Sequence, residues 1–130
     1  MVAKARQLIV QTPNRVGLLA EIARALANAK VNQQACCCYS MAEQACFMMV
    51  VDKYAAAKKA LAKAGYSFTE DSVICIEIPN KPGELAKAAA KVSQAGIDME
   101  YAYATAGGRT SLVIVKSKDD TAALKALRKR

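Results

Sequence analysis

Apolar positions follow two rhythms along this 130-residue chain. Lys4–Thr12 is rich in β-formers around Leu8-Ile9-Val10 and predicts a strand. Leu19, Ile22, Ala23 and Leu26 then fall at i, i+3, i+4 and i+7, with Glu21 and Arg24 off the stripe, which predicts a one-sided helix from about Val16 to Lys30. Val31–Ser40 reads as a second strand, although Gln33, Gln34 and its cysteines are weak strand formers. Ala45–Val51 is apolar almost throughout and predicts a central strand. Asp52 is placed to cap a helix over Tyr54–Ala64, and Gly65 to end it. Tyr66–Thr69 alternates and reads as a fourth strand, with Glu70-Asp71 marking a break.

The order then starts again. Ser72–Ile78 predicts a strand, and Leu85, Ala88, Ala89 and Val92 repeat the helical stripe from about Gly83 to Ala95. Asp98–Thr105 predicts a strand with Met99, Tyr101 and Tyr103 on one face, and Gly107-Gly108 supports a hairpin into the apolar run Thr110–Lys116. Asp119 and Asp120 place negative charge at the start of a last helix, Thr121–Arg128.

The recurrence is a duplication. Pro13-Asn14-Arg15-Val16-Gly17-Leu18-Leu19-Ala20 returns as Pro79-Asn80-Lys81-Pro82-Gly83-Glu84-Leu85-Ala86, every position displaced by 66 residues and five of eight identical. The offset still holds where Val31-Asn32 matches Ile97-Asp98. Each copy of the motif joins a strand to a helix, with Asn supplying turn chemistry and Gly a backbone that can be approached closely. The expected domains are residues 1–70 and 71–130, each near the lower size limit for a self-sufficient core. The expected fold class is α+β: two βαββα units with antiparallel sheets and both helices on one face, the ferredoxin-like arrangement. The second unit ends before any counterpart of Tyr66–Thr69, so it lacks its last strand.

Composition narrows the function. The net charge of +8 is concentrated in residues 1–65, where nine Lys and Arg face three Asp and Glu. A solvated helix face carrying Lys58, Lys59 and Lys63 accounts for it better than nucleic acid does, since no aromatics interleave with these lysines. There is no histidine, which excludes Ser-His and Cys-His catalysis, and the carboxylates form no evident pair. No apolar run is long enough to span a bilayer, and the first residues have no apolar segment of a signal peptide. Five cysteines, three of them consecutive at Cys36-Cys37-Cys38, fit a reduced, cytoplasmic setting. That run could ligate a soft metal, but without histidine or a Cys-x-x-Cys pair, packing is the preferred reading and no metal or cofactor is expected. Cys46 and Cys75 read as core, and Met48-Met49 as core filler.

The two Asn-x-x-Gly joints, in register within a duplicated unit, resemble those of tandem ACT domains, as does the Glu100-Tyr101-Ala102-Tyr103 strand. The resemblance covers nearly the whole chain and implies a non-catalytic regulatory module that binds a small ligand, usually an amino acid, at the interface of two ACT units. The implied ligand residues are Asn14, Arg15, Val16, Gly17 and Leu18 at the first joint, and Asn80, Lys81, Pro82, Gly83 and Glu84 at the second. Tyr101 and Tyr103 either wall a pocket or pack a strand face. Physically, a helix N-terminus offers unpaired N–H groups and a positive dipole end to a carboxylate. The competing reading of each Asn is a helix cap or a turn support. The alternative function is a regulator acting on an enzyme or nucleic acid in amino-acid metabolism. The unpaired edge at Ser72–Ile78 further predicts a homo-oligomer, most simply a dimer, unless Met1–Arg6 covers that edge.

Overall fold

The computed structural model describes residues 1–129. Six strands and four helices follow in the order β1 (Val2–Pro13), α1 (Leu18–Asn28), β2 (Gln33–Met41), β3 (Gln44–Val51), α2 (Tyr54–Lys63), β4 (Thr69–Pro79), α3 (Glu84–Gln94), β5 (Met99–Gly107), β6 (Thr110–Ser117) and α4 (Asp120–Arg128). They form two compact units. One is Arg6–Asp71; the other runs from Ser72 onward and takes in Met1–Ala5. Among the described residues no helix is long and apolar enough to cross a membrane.

In the Arg6–Asp71 unit the strand order is β2-β3-β1, antiparallel, with Leu8 opposite Met49, Val10 opposite Phe47 and Cys38 opposite Phe47. β3 is buried from Ala45 to Val51, as its unbroken apolar run requires of a central strand. Leu18, Ile22 and Leu26 of α1 and Ala57 and Leu61 of α2 pack on Leu8, Val10, Phe47 and Met49, so both helices share one face of the sheet. Burying each large aliphatic side chain there contributes about 2 kcal/mol.

The other unit repeats the plan. Its order is β4-β6-β5, and Ala88 and Val92 of α3 with Ala123 and Leu127 of α4 cover Ile74, Ile76, Val113 and Val115. Here the missing strand is found. Met1 and Glu77 exchange backbone hydrogen bonds: the Glu77 N–H donates to the Met1 carbonyl at 2.8 Å, and the Met1 amino group to the Glu77 carbonyl at 3.3 Å. Val2 packs against the core of this unit, and the Arg128 guanidinium donates to the Val2 carbonyl at 3.1 Å. The chain's own first residues thus cover the β4 edge, and that edge no longer calls for a second chain.

Several expectations are corrected. Tyr66, Ser67 and Phe68 form no strand; β4 begins at Thr69 and runs through Glu70 and Asp71 without a break. Tyr66 and Phe68 are partly buried and pack against the core of the Arg6–Asp71 unit from this connecting segment. Asp52 does not cap α2. Its carboxylate accepts from the Asn32 N–H at 2.9 Å, and Lys53 occupies the cap position with no side-chain bond. Met99 does not share a face with Tyr101 and Tyr103. A bulge between Met99 and Tyr101 shifts the register, so Met99 faces α3 beside Val113 and Val115, while Tyr101 and Tyr103 oppose Lys116 and Ile114 on the other face.

Candidate functional site

The first joint is built by three pieces of backbone. At its foot the Asn14 N–H donates to the Glu43 carbonyl at 2.8 Å, pinning the end of β1 to the β2–β3 turn. Gly17 then turns the chain with φ of 95°, a left-handed conformation that L side chains resist, and stands as the residue before α1. Its carbonyl receives the first helical bond, from the Glu21 N–H at 3.0 Å. No side chain caps this helix, so the N–H groups of Leu18, Leu19 and Ala20 have no partner within it.

These donors border a hollow of about 270 Å³ lined by Asn14, Arg15, Gly17, Leu18 and Leu19 on one side and by Cys38, Tyr39 and Ser40 of β2 on the other. A Cβ on Gly17 would meet nothing within 4 Å, so the glycine leaves open space beside it rather than avoiding a clash. Four of the five residues expected here are therefore gathered. Val16 is not: it is 99% exposed and points to solvent. Arg15 reaches the hollow but is already paired. It donates to the Glu21 carboxylate, at 3.1 Å through Nη1, and Tyr66 donates to the same carboxylate at 2.8 Å. The pairing with Arg15, then with Tyr66, holds the Glu21 carboxyl below its usual range and raises Arg15 in turn. Charge at this joint is thus balanced by its own residues, and the dipole end of α1 is left as the attractive feature for an anion.

The second joint copies the backbone. The Asn80 N–H donates to the Arg109 carbonyl at 2.8 Å, Gly83 has φ of 89°, and the Lys87 N–H donates to the Gly83 carbonyl at 3.0 Å. Its side chains do something else. The Asn80 amide donates to the Gly108 carbonyl at 3.0 Å, so this Asn supports the β5–β6 turn; neither Asn caps its helix. The Glu84 N–H is taken by the Lys81 carbonyl at 3.3 Å. Lys81 and Pro82 are exposed in the turn. Glu84 pairs with Lys87 at 3.6 Å and lines a cavity beside α3 together with Val2 and Ile76. Tyr101 and Tyr103 lie on the sheet face away from α3, so they do not meet this joint.

Sequence reasoning missed Leu19, Cys38, Tyr39 and Ser40. The signal was available in the hairpin: once β2 and β3 pair, the end of β2 must pass the joint that Glu43 anchors.

A family model described as an ACT domain pair matches residues 3–128. Among solved structures, protein BT0572 from Bacteroides thetaiotaomicron is similar with a TM-score of 0.90 and 28% identity, over 98% of this chain and 88% of that one. The ligand-free regulatory subunit of aspartate kinase from Thermus thermophilus has a TM-score of 0.71 at 20% identity, over 97% and 93%. Its counterpart from Thermus flavus has 0.59 at 20%, over 97% and 94%. The last two are likenesses of fold. No curated protein matches.

Proposed function

This chain belongs to the ACT domain pair family, and on that footing we propose that it is a non-catalytic regulatory module whose small ligand, an amino acid, seats in the hollow at the first joint. The observation that carries this is the set of uncapped N–H groups of α1, laid open beside Gly17 and faced by Asn14 and Ser40. A carboxylate docks on the helix N-terminus, where dipole and donors act together. The Asn14 carbonyl and the Ser40 hydroxyl are acceptors for an ammonium group. Leu19 and Cys38 offer an apolar wall to a side chain. At about 270 Å³ the hollow is smaller than the roughly 300–1,000 Å³ of pockets for drug-sized molecules, which suits a ligand of this size.

Leu19 and Tyr39 at the rim are 52% and 46% exposed. A second copy of the chain covering this rim would close the site, and a homodimer is part of the proposal. Of the basic half's cations, Arg6 and Lys58 share Glu70 and Arg15 holds Glu21, so these three are engaged within the chain. An enzyme partner remains the natural recipient of the signal.

Calorimetry and thermal shift with the individual amino acids test the proposal. At a hundredfold excess over Kd, a ligand adds about 2.7 kcal/mol to stability. Gly17→Val should abolish that gain by placing a branched side chain over the N–H groups, whereas Gly83→Val should bind as the native chain does. The reverse pattern would move the ligand to the second joint, and no shift with any amino acid at millimolar concentration would sink the reading.

A further inference from the structure

Cys36 and Cys38 lie two residues apart on β2, with their Sγ atoms 3.2 Å from each other. Their register opposite Met49 and Phe47 puts both on the helix-bearing face, yet both are exposed because β2 is the outer strand of its unit. Cys37 opposes Met48 and turns to the other face. The ligand reading makes no use of Cys36.

Two chemistries compete for such a pair. A disulfide needs Cβ atoms about 3.5–4.5 Å apart. Residues i and i+2 of a strand carry theirs on one face about 6.6 Å apart, twice the rise per residue. Bridging them would pull β2 out of its ladder with β3. A metal ion asks less. Two sulfurs each about 2.3 Å from an ion, in line, stand about 4.6 Å apart. Side-chain rotation can open the present separation to that span with the strand undisturbed. Among the described residues no third Cys, His, Asp or Glu joins the pair, which excludes the four-ligand geometry of structural zinc.

We propose that Cys36 and Cys38 form a two-coordinate thiolate seat for a soft monovalent cation of the Cu(I) type. Soft thiolates select such ions over harder divalent ones. Binding forms two metal–sulfur bonds and releases two protons; no electron is transferred.

The test uses the full-length reduced chain, Cu(I) supplied as its acetonitrile complex, and a chromogenic Cu(I) chelator as competitor. One ion per chain and two protons released per ion are expected. Cys36→Ser and Cys38→Ser should each weaken binding by roughly a hundredfold or more, one ligand's share of a thiolate site, while Cys37→Ser should bind as the native chain does. All three positions lie on the outer strand, and urea midpoints matching the native chain will establish that the variants fold. Failure to take Cu(I) from the competitor, an equal loss in Cys37→Ser, or a Cys36–Cys38 disulfide found by mass after mild oxidation would each overturn the proposal.

Discussion

The two units carry the same backbone through the same turns and fill it differently. On α1 the core is Leu18, Ile22 and Leu26; at the matching places α3 has Glu84, Ala88 and Val92. The sheet beneath is equally apolar in both, so the shortfall remains as space: a cavity of about 210 Å³ lies between α3 and the sheet, lined by Ile76, Leu85, Ala88, Val92, Met99 and Val113. The second unit recovers order through polar contacts instead. Asp119 caps α4 by accepting from the Ala122 N–H at 3.0 Å, where Lys53 leaves α2 uncapped. Asp120 gathers Ser117, Lys116 and Ser72. After duplication, backbone geometry persisted because every turn depends on it, whereas core volume and polar anchoring were free to trade against each other.

The largest test makes the first unit resemble the second. Ile22 is fully buried, and Ile22→Ala should cost about 3 kcal/mol in urea unfolding. A loss below about 1 kcal/mol would mean the helices close over the gap, and the contrast in packing would lose its meaning.

Asp120→Ala probes the polar anchor. Burial on its own would raise this carboxyl, but the bonds from Ser117, Lys116 and Ser72 outweigh it and hold the pKa below the ordinary value. A lowered folded pKa adds stability that is full above the unfolded value, about 3.9, and is lost as pH falls through the folded one. The substitution should therefore cost about 2 kcal/mol at neutral pH and progressively less below pH 4. A cost independent of pH would show that packing, not charge, makes this residue important.

Ala88→Ile places in the second unit what Ile22 supplies in the first. Filling part of the cavity should gain about 1 kcal/mol, measured as a higher urea midpoint at unchanged slope. Destabilisation would show that the cavity walls cannot accept the γ-carbons.

The smallest effects concern turns. Lys30 and Ala42 have φ of 59° and 56°, and the matching residues of the second unit are Gly96 and Gly108, at 73° and 75°. Lys30→Gly and Ala42→Gly should each gain up to about 1 kcal/mol by relieving a conformation costly to L residues, and Gly108→Ala should lose a similar amount. Differential scanning calorimetry resolves changes of this size. A loss in both glycine variants would mean that chain entropy outweighs strain there.

Much of this was legible in the chain itself. The 66-residue offset predicted two joints with the same geometry, and the structure repeats even their anchoring bonds, Asn14 to Glu43 and Asn80 to Arg109. The unbroken apolar run of β3 announced a central strand. What escaped depends on partners distant in sequence. A bulge beside Met99 is invisible to an alternation count, yet it turned Tyr101 and Tyr103 from the second joint. Asp52 looked like a cap because it precedes a helix, while its bond goes to Asn32, twenty residues earlier. The hollow draws Cys38, Tyr39 and Ser40 of its lining from the end of β2, which no joint motif marks.

The N-terminal residues sit in a unit whose other members come from Ser72 onward, and this sets an order on synthesis. Met1 pairs with Glu77, and Val2 receives Arg128 from 126 positions away. On a ribosome, Arg6–Asp71 has all its members once residue 71 emerges, while the five residues ahead of it wait for the rest. At about 5–20 residues per second that wait lasts several seconds. Throughout it, the start of β1 is an unpaired strand on a nascent chain, able to find another edge before its own exists. Synonymous codon changes that slow translation after residue 71 should therefore lower the soluble yield without altering the purified protein.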